Sequence, residues 1–433
     1  MVTARVDDVP SSGFLDEAVR IGRSIVGGAI EHDGRATWLA DSYAVVDGRW
    51  QPTVATLEAD LGDGTAGVGW VLARLAAVAG GDRTLARGAS AALRHSLARL
   101  PALQGADRLD WYHGTSGVAW AAIDAGQAID DAELVEAGEH AAHCFVGAAA
   151  SRPAEPRDWS LVGGECGVLA GLLALAPLVD GDRATEVAAG VARVACDAIP
   201  DRMRAFEPDT SGAVPTGLAR GLSGMGLVLS AAADAAGDAA FRSAAVRGFA
   251  SERAGMEPGV GWFTDDAHPW RPEGRVPASS WCRGAAGIGI ARIAASTGSR
   301  DLALLAEATA AIELVRSRLG AGPDADASMC HGTSGIVELL LLAGSLLDEP
   351  EHTVAARRVG AAMVTARGSG QRYGCGIADG AHNPSLLHGL AGTAAVLARL
   401  DDPDAITSPA LPPILSVPRH QMRGDVPAGT GGT

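Results

Sequence analysis

The chain contains no lysine: every one of its 35 basic residues is Arg. With the heavy use of Ala, that absence reflects coding bias rather than mechanism. The 35 basic residues face 51 acidic ones, giving a formal charge of −16. No basic stripe can then offset a phosphate backbone, which speaks against a nucleic-acid partner and suits a neutral or cationic peptide. Long apolar runs are missing as well. The longest, Ile336 to Leu347, is interrupted by Glu338 and Gly344 and is too short to span a bilayer. Met1 to Pro10 carries acidic residues and lacks the apolar core of a secretory signal. Cysteine is scarce, with six residues that lack the spacing of a small disulfide scaffold. Reduced thiols and a cytoplasmic location are therefore the expectation. Period-two alternation is rare, so little sheet is expected.

What the sequence does have is a repeat. A Gly-x-x-Gly motif occurs at Gly64–Gly67, Gly114–Gly117, Gly164–Gly167, Gly221–Gly224, Gly284–Gly287, Gly332–Gly335 and Gly389–Gly392. The first glycines are 50, 50, 57, 63, 48 and 57 residues apart, a regularity that one Gly-rich composition does not produce by chance. After each motif comes a segment such as Val68–Val78, apolar nearly all round, which predicts a buried helix. Between them lie amphipathic, charged stretches: 84–100, 131–145, 184–198, 239–253, 301–319 and 351–367.

Alternating buried and half-wet helices predict an all-α chain folded as an α/α toroid of seven inner and seven outer helices. An inner ring buried on both sides needs closure. The glycines then open each inner helix and leave seven helix N-termini at one mouth. The expected organisation is a single domain over 1–400, with its repeat core at about 55–400, and a loosely packed Pro/Gly-rich tail over 401–433. Two irregular stretches, 257–280 and 368–383, are candidate lips over the mouth.

Two turns carry unusual residues. The fifth reads Ser280-Trp281-Cys282-Arg283-Gly284 and the sixth Ser328-Met329-Cys330-His331-Gly332. Each cysteine stands two residues before its glycine, so closure of the ring makes Cys282 and Cys330 neighbours, with His331 beside them. Two thiolates and one imidazole form a zinc set with a fourth position left open, as catalytic zinc requires. Cys144, Cys166, Cys196 and Cys375 have no such company and are expected as small core residues.

Ser-Trp-Cys-x-Gly followed by Cys-His-Gly, within seven Gly-x-x-Gly helical repeats, resembles the lanthionine synthetase C-like cyclases over nearly the whole chain. The resemblance implies one Zn2+ per chain, held by Cys282, Cys330 and His331. It also implies addition of a peptide Cys thiolate to dehydroalanine or dehydrobutyrine, closing a (methyl)lanthionine thioether ring. The partner would be a dehydrated ribosomal precursor peptide. Separate dehydratase or kinase/lyase proteins would make the dehydro residues, since the chain has no room for such a domain.

The sequence departs from the family pattern around the acid that must protonate the enolate. Arg220 stands where the fourth repeat usually has His, and Arg283 where Tyr or His follows the fifth-repeat Cys. Ala278 replaces an Arg, and Ser160 replaces an Asp, with Asp158 two residues away. Guanidinium groups do not release protons in proteins, so Arg220 and Arg283 are candidates for stabilising the enolate oxygen. His113 and His388, each directly before a Gly-x-x-Gly, are candidate proton donors. Asp110 either orients a His or caps its turn. Trp111, Trp159 and Trp281 wall the pocket or pack between inner helices. The alternative is a non-catalytic zinc-bearing toroid that binds or chaperones the peptide. Addition of a small thiol is a third reading.

Overall fold

A computed structural model describes residues 13–415 apart from 48, 104–107, 152–157, 180, 206–215, 265–275, 278, 298–300, 320–325, 369–371 and 378–381. Seven inner helices follow the seven glycine motifs: α2 (Thr65–Val78), α4 (Thr115–Ala128), α6 (Glu165–Leu175), α8 (Leu222–Ala236), α10 (Ala285–Ser296), α12 (Thr333–Leu346) and α14 (Leu390–Asp401). They are buried along almost their whole length, and α10 has no exposed residue at all. Six outer helices alternate with them: α3 (Arg83–Arg99), α5 (Ala132–Ala150), α7 (Gly181–Ala205), α9 (Ala239–Ala254), α11 (Leu302–Leu319) and α13 (Pro350–Gly368). The fold is the all-α toroid that the repeat predicts.

The seventh outer helix comes from the other end of the chain. α1 (Phe14–Gly27) packs against α14, between α13 and α3. The Leu15 amide donates to the Asp401 carboxylate at 2.7 Å, and the Phe14 ring lies against Gly360 of α13. The outer ring is thus closed by N-terminal residues that precede the first motif, which the glycine spacing alone could not place.

Three of the steps from an inner to an outer helix use the same local chemistry. The chain reverses through residues in the left-handed region, such as Gly80 (φ 72°), Asp130 (φ 56°) and Gly237 (φ 65°). An Asp then caps the outer helix: Asp82 accepts from the Thr84 and Leu85 amides, Asp131 from Leu134 and Asp238 from Ala240. Such caps are each worth ~1 kcal/mol.

Sheet is minor, as expected. Two antiparallel hairpins, β1 (Ile30–His32) with β2 (Arg35–Thr37) and β3 (Leu39–Val46) with β4 (Arg49–Thr56), lie between α1 and α2. A small sheet of β5 (Met256–Glu257), β6 (Gly261–Thr264) and β7 (Val276–Pro277) precedes the fifth motif. The rest of that candidate lip falls largely outside the described residues, as does Ala278.

One buried arginine ties the inner ring to the outer, and a second joins two inner helices. Arg292 on α10 is wholly buried and donates to Glu307 on α11 and Glu252 on α9, both at 2.7 Å, and to the Ser223 hydroxyl at 2.9 Å. Arg399 on α14 reaches Glu338 on α12 at 3.0 Å.

The segment after α14 is packed where it is described. Ile406, Ala410, Leu411 and Leu415 are buried, in place of the loose tail expected from Asp401 onward. The Ala410 carbonyl accepts from the Tyr112 hydroxyl at 2.9 Å and from the Trp281 indole N–H at 3.2 Å. Residues 416–433 lie outside the described residues.

Candidate metal centre and its mouth

The seven motif turns share one geometry, and the glycines in them are required for space. Gly114 has φ −120°, open to any residue, yet a Cβ there would stand 2.4 Å from the Asp110 amide nitrogen. A Cβ on Gly117 would stand 2.0 Å from the Trp111 carbonyl oxygen. Contacts this close exclude even Ala, because no real Cβ approaches backbone atoms to that distance.

The residues two before each first glycine form a hydrogen-bonded ring. Gly62 N–H donates to Tyr112 C=O, Val162 to Ala219, Ala219 to Cys282, Cys282 to Cys330, Cys330 to Leu387 and Leu387 to Gly62, at 2.7–3.3 Å. Six of the seven neighbouring pairs are joined in this way. At the remaining pair, between the second and third turns, the Asp110 carboxylate does the joining. Its Oδ1 accepts the Tyr112, His113 and Gly163 amides at 3.0, 3.0 and 3.1 Å. Asp110 is therefore placed as a cap and tie of two turns, and the backbone around the mouth is held in register.

The residues directly before each first glycine then line the mouth in ring order: Asp63, His113, Gly163, Arg220, Arg283, His331 and His388. Cys282 and Cys330, one position earlier, are buried just beneath. Their Sγ atoms and a ring nitrogen of His331 all lie within 4.8 Å of one another, with Cys330 Sγ 3.7 Å from His331 Nε2. Zinc ligands at ~2.3 Å (S) and ~2.0 Å (N) in a tetrahedron stand ~3.6 Å apart, so the set fits the ion.

The electrostatics point the same way. The Cys282 thiol is held well below its ordinary value, first by the Cys330 thiol hydrogen-bonded to it and then by His331 and the Ser280 hydroxyl. Sharing that proton with Cys282, together with burial, pushes Cys330 up. Burial works against charge on His331, but the Cys282 thiolate beside it outweighs that and raises the imidazole. The pair carries one thiolate readily and a second only against the first, a conflict that a divalent cation relieves. Both cysteines also sit at helix N-termini, where partial positive charge favours thiolates.

On one side of this cluster runs a row of titratable groups. The His388 ring stacks on His331, with centroids 5.4 Å apart. His388 Nδ1 lies 2.5 Å from Asp63 Oδ1, and Asp63 Oδ2 lies 3.3 Å from His113 Nε2. Burial works against the Asp63 charge, yet His388 and His113 together hold its carboxyl well below the usual range. Burial likewise opposes charge on His113, but Asp63, Asp60 and Asp110 raise it to about 9. Asp63 was not singled out from the sequence. The signal was present, since it occupies in the first repeat the position that His113, His331 and His388 occupy in theirs.

On the other side lie Arg220, exposed, and Arg283, half-buried. Burial and then the neighbouring Arg220 charge lower Arg283. The third turn offers only Gly163 to the mouth, while Ser160 is buried and donates to Asp158 and to the Val162 carbonyl.

The second candidate lip packs where it is described: the Gly376 amide donates to the His388 carbonyl at 2.9 Å, and its Cα face lies against His388 and His331. Trp111, Trp159 and Trp281 are buried and pack between inner elements, with Trp111 against Trp120 at 5.1 Å. Of the remaining cysteines, Cys166 and Cys375 are buried as expected, whereas Cys144 is exposed on α5 and Cys196 is intermediate. Among the described residues no helix is long and apolar enough to cross a membrane.

Compared by sequence with curated proteins, the chain finds no match. Among solved structures it is similar to nisin cyclase, with a TM-score of 0.60 and 17 % identity over 80 % of this chain and 89 % of that one. At that identity the likeness concerns the fold. The family model for lanthionine synthetase C-like proteins matches residues 55–412. With the match spanning all seven glycine turns and both cysteine motifs, the chain belongs to the lanthionine synthetase C-like family.

Proposed function

We propose that the protein is a zinc-dependent lanthipeptide cyclase that closes (methyl)lanthionine thioether rings in a dehydrated ribosomal peptide. The observation that carries this reading is the meeting of Cys282, Cys330 and His331 at the mouth, with their ligand atoms all within 4.8 Å of one another, beside groups able to hold a proton. A zinc ion bound there supplies an open position at which a peptide cysteine gives up its thiol proton at neutral pH.

The overall step is an addition. A C–S bond forms at the β-carbon of the dehydro residue, its double-bond electrons move toward the neighbouring carbonyl, and the α-carbon takes a proton. His113 carries a proton at neutral pH, because Asp63, Asp60 and Asp110 face it, and is the first candidate to deliver it. His388, in the same row, is the second candidate. Arg220 and Arg283 supply positive charge for the developing enolate oxygen. Asp110 keeps the His113 turn in place through its amide contacts. The acidic composition suits a peptide without strong negative charge, and separate proteins would supply its dehydro residues.

The replacement of the family's usual fourth-repeat His by exposed Arg220 favours one competing reading, a zinc-bearing toroid that only binds the peptide. Incubating zinc-loaded protein with dehydrated precursor and counting free thiols separates the two. Ring closure well above the uncatalysed rate supports the cyclase. Normal peptide affinity with an uncatalysed rate would leave the binding module.

A further inference from the structure

We infer that Asp63 is the positioning residue of the proton-carrying side of the mouth: one carboxylate, meeting His388 with one oxygen and His113 with the other, sets both imidazoles in a single row with the metal cluster. This rests on the cyclase reading above and deepens it. The acid–base groups of this chain then come from repeats one, two and seven. The resemblance to the family would instead look for them in repeats three and four.

Elimination and geometry agree. Of the seven residues lining the mouth, Gly163 has no side chain, Arg220 and Arg283 cannot release a proton, and His331 belongs to the metal set. Asp63, His113 and His388 are what is left, and they are consecutive around the ring. Asp63 sits between the other two, 2.5 Å from His388 Nδ1 and 3.3 Å from His113 Nε2.

Its own turn is held on three sides. The Asp63 amide donates to buried Asp60 at 2.8 Å. The Gly62 amide is tied to Tyr112 in the second turn at 2.7 Å, and its carbonyl to Leu387 in the seventh at 2.9 Å. Gly62 also leaves the space that the His113 ring fills, since a Cβ there would lie 3.3 Å from His113 Cδ2 and 3.0 Å from Leu387. A carboxylate so fixed faces two imidazoles at once: Oδ1 is hydrogen-bonded to His388, while Oδ2 stands against His113 Nε2 as an ion-pair partner, a ring nitrogen with no hydrogen-bond partner of its own among the described residues. The other charged groups facing His113 are Asp60 from the first turn and Asp110 from its own. Neither reaches His388 in the described contacts.

The test uses zinc-loaded full-length protein, as wild type, Asp63→Asn and Asp63→Glu. Histidine-resolved NMR titration reads His113 directly and does not depend on turnover. In Asp63→Asn the His113 pKa should fall toward the ordinary ~6.5, with zinc content and folding retained. Ring closure on dehydrated precursor should fall ~100-fold in kcat with little change in KM, the range of a lost general acid. Asp63→Glu, which keeps the charge, should recover part of both. An unmoved His113 titration, or closure within about twofold of wild type, would overturn the assignment. Should wild type itself fail to close rings, the cyclase reading falls, while the NMR shift still decides whether Asp63 positions the row.

Discussion

The Cys282 amide donates to the Cys330 carbonyl at 3.3 Å, so the two thiols are set side by side by the same backbone ring that joins the other turns. The metal site is therefore a property of ring closure as much as of the cysteines themselves. Cys282→Ala, Cys330→Ala and His331→Ala should each reduce bound zinc from about one equivalent per chain to near zero, because two remaining ligands do not hold the ion. Metal analysis by mass spectrometry, with circular dichroism to confirm folding, checks this. The inner helices bury enough apolar surface to stay folded without the ion. A wild type that folds but binds no zinc would remove the basis of the proposed chemistry.

The charged mouth makes stability depend on pH. The folded pKa of His113 is raised to about 9, above its unfolded value of ~6.5. Its contribution is thus fully present below pH ~6.5 and is lost as pH rises toward 9. Asp60, which burial raises to about 7, acts with the same sign from a lower starting point, losing its contribution between pH ~4 and 7. Thermal denaturation of wild type should show midpoints falling from pH 6.5 to 9. His113→Asn should flatten that fall, and an identical slope in the variant would rule out His113 as its source.

The buried Arg292 cluster is structural. Removing one partner leaves a charge without compensation in a dry interior, which costs ~3–5 kcal/mol. Glu252→Ala should accordingly lower the chemical-denaturation free energy by about that much while leaving zinc stoichiometry unchanged in the folded fraction. Arg292→Met removes charge from the centre of the cluster and strands the Glu252 carboxylate, while Glu307 keeps Arg253 at 2.6 Å, and should be no milder.

The carbonyl of Ala410 joins the Tyr112 and Trp281 side chains, which precede His113 and Cys282 respectively. Tyr112→Phe and Trp281→Phe each delete one of these bonds. Each should cost ~1–2 kcal/mol, with Trp281→Phe the larger because it also removes packed volume. Deleting residues 405–433 should cost more than either, since it removes both bonds together with the buried side chains of Ile406 and Leu411. Urea titration of the three proteins gives the ranking, and a truncated chain as stable as wild type would contradict it.

Arg220→Ala and Arg283→Ala test the other side of the mouth. If they stabilise the enolate oxygen, each should lower kcat for ring closure by at least ~10-fold with zinc content unchanged, as for other preorganised donors. Single-turnover thiol counting with a dehydrated precursor measures it.

The sequence by itself determined the ring. Seven Gly-x-x-Gly motifs, each followed by an all-apolar segment, admit only helices buried on every side, and their spacing makes equivalent turns meet at one mouth. That is why the repeat positions of Cys282, Cys330 and His331 already imply that the three meet. Other features depended on partners far away in the chain, for which no local pattern exists. α1 completes the outer ring because the last inner helix, some 375 residues later, would otherwise leave its apolar flank in water. Ile406, Ala410, Leu411 and Leu415 are buried although the Pro-rich segment around them reads as a loose tail, and the carbonyls of Ile406 and Ala410 meet Arg399, Tyr112 and Trp281. Asp63 looked like one more acidic residue in an acidic chain. Only closure of the first turn against the second and the seventh brings its two oxygens to His113 and His388, since repeat position sets which side chains share the mouth while tertiary contact alone sets which of them touch.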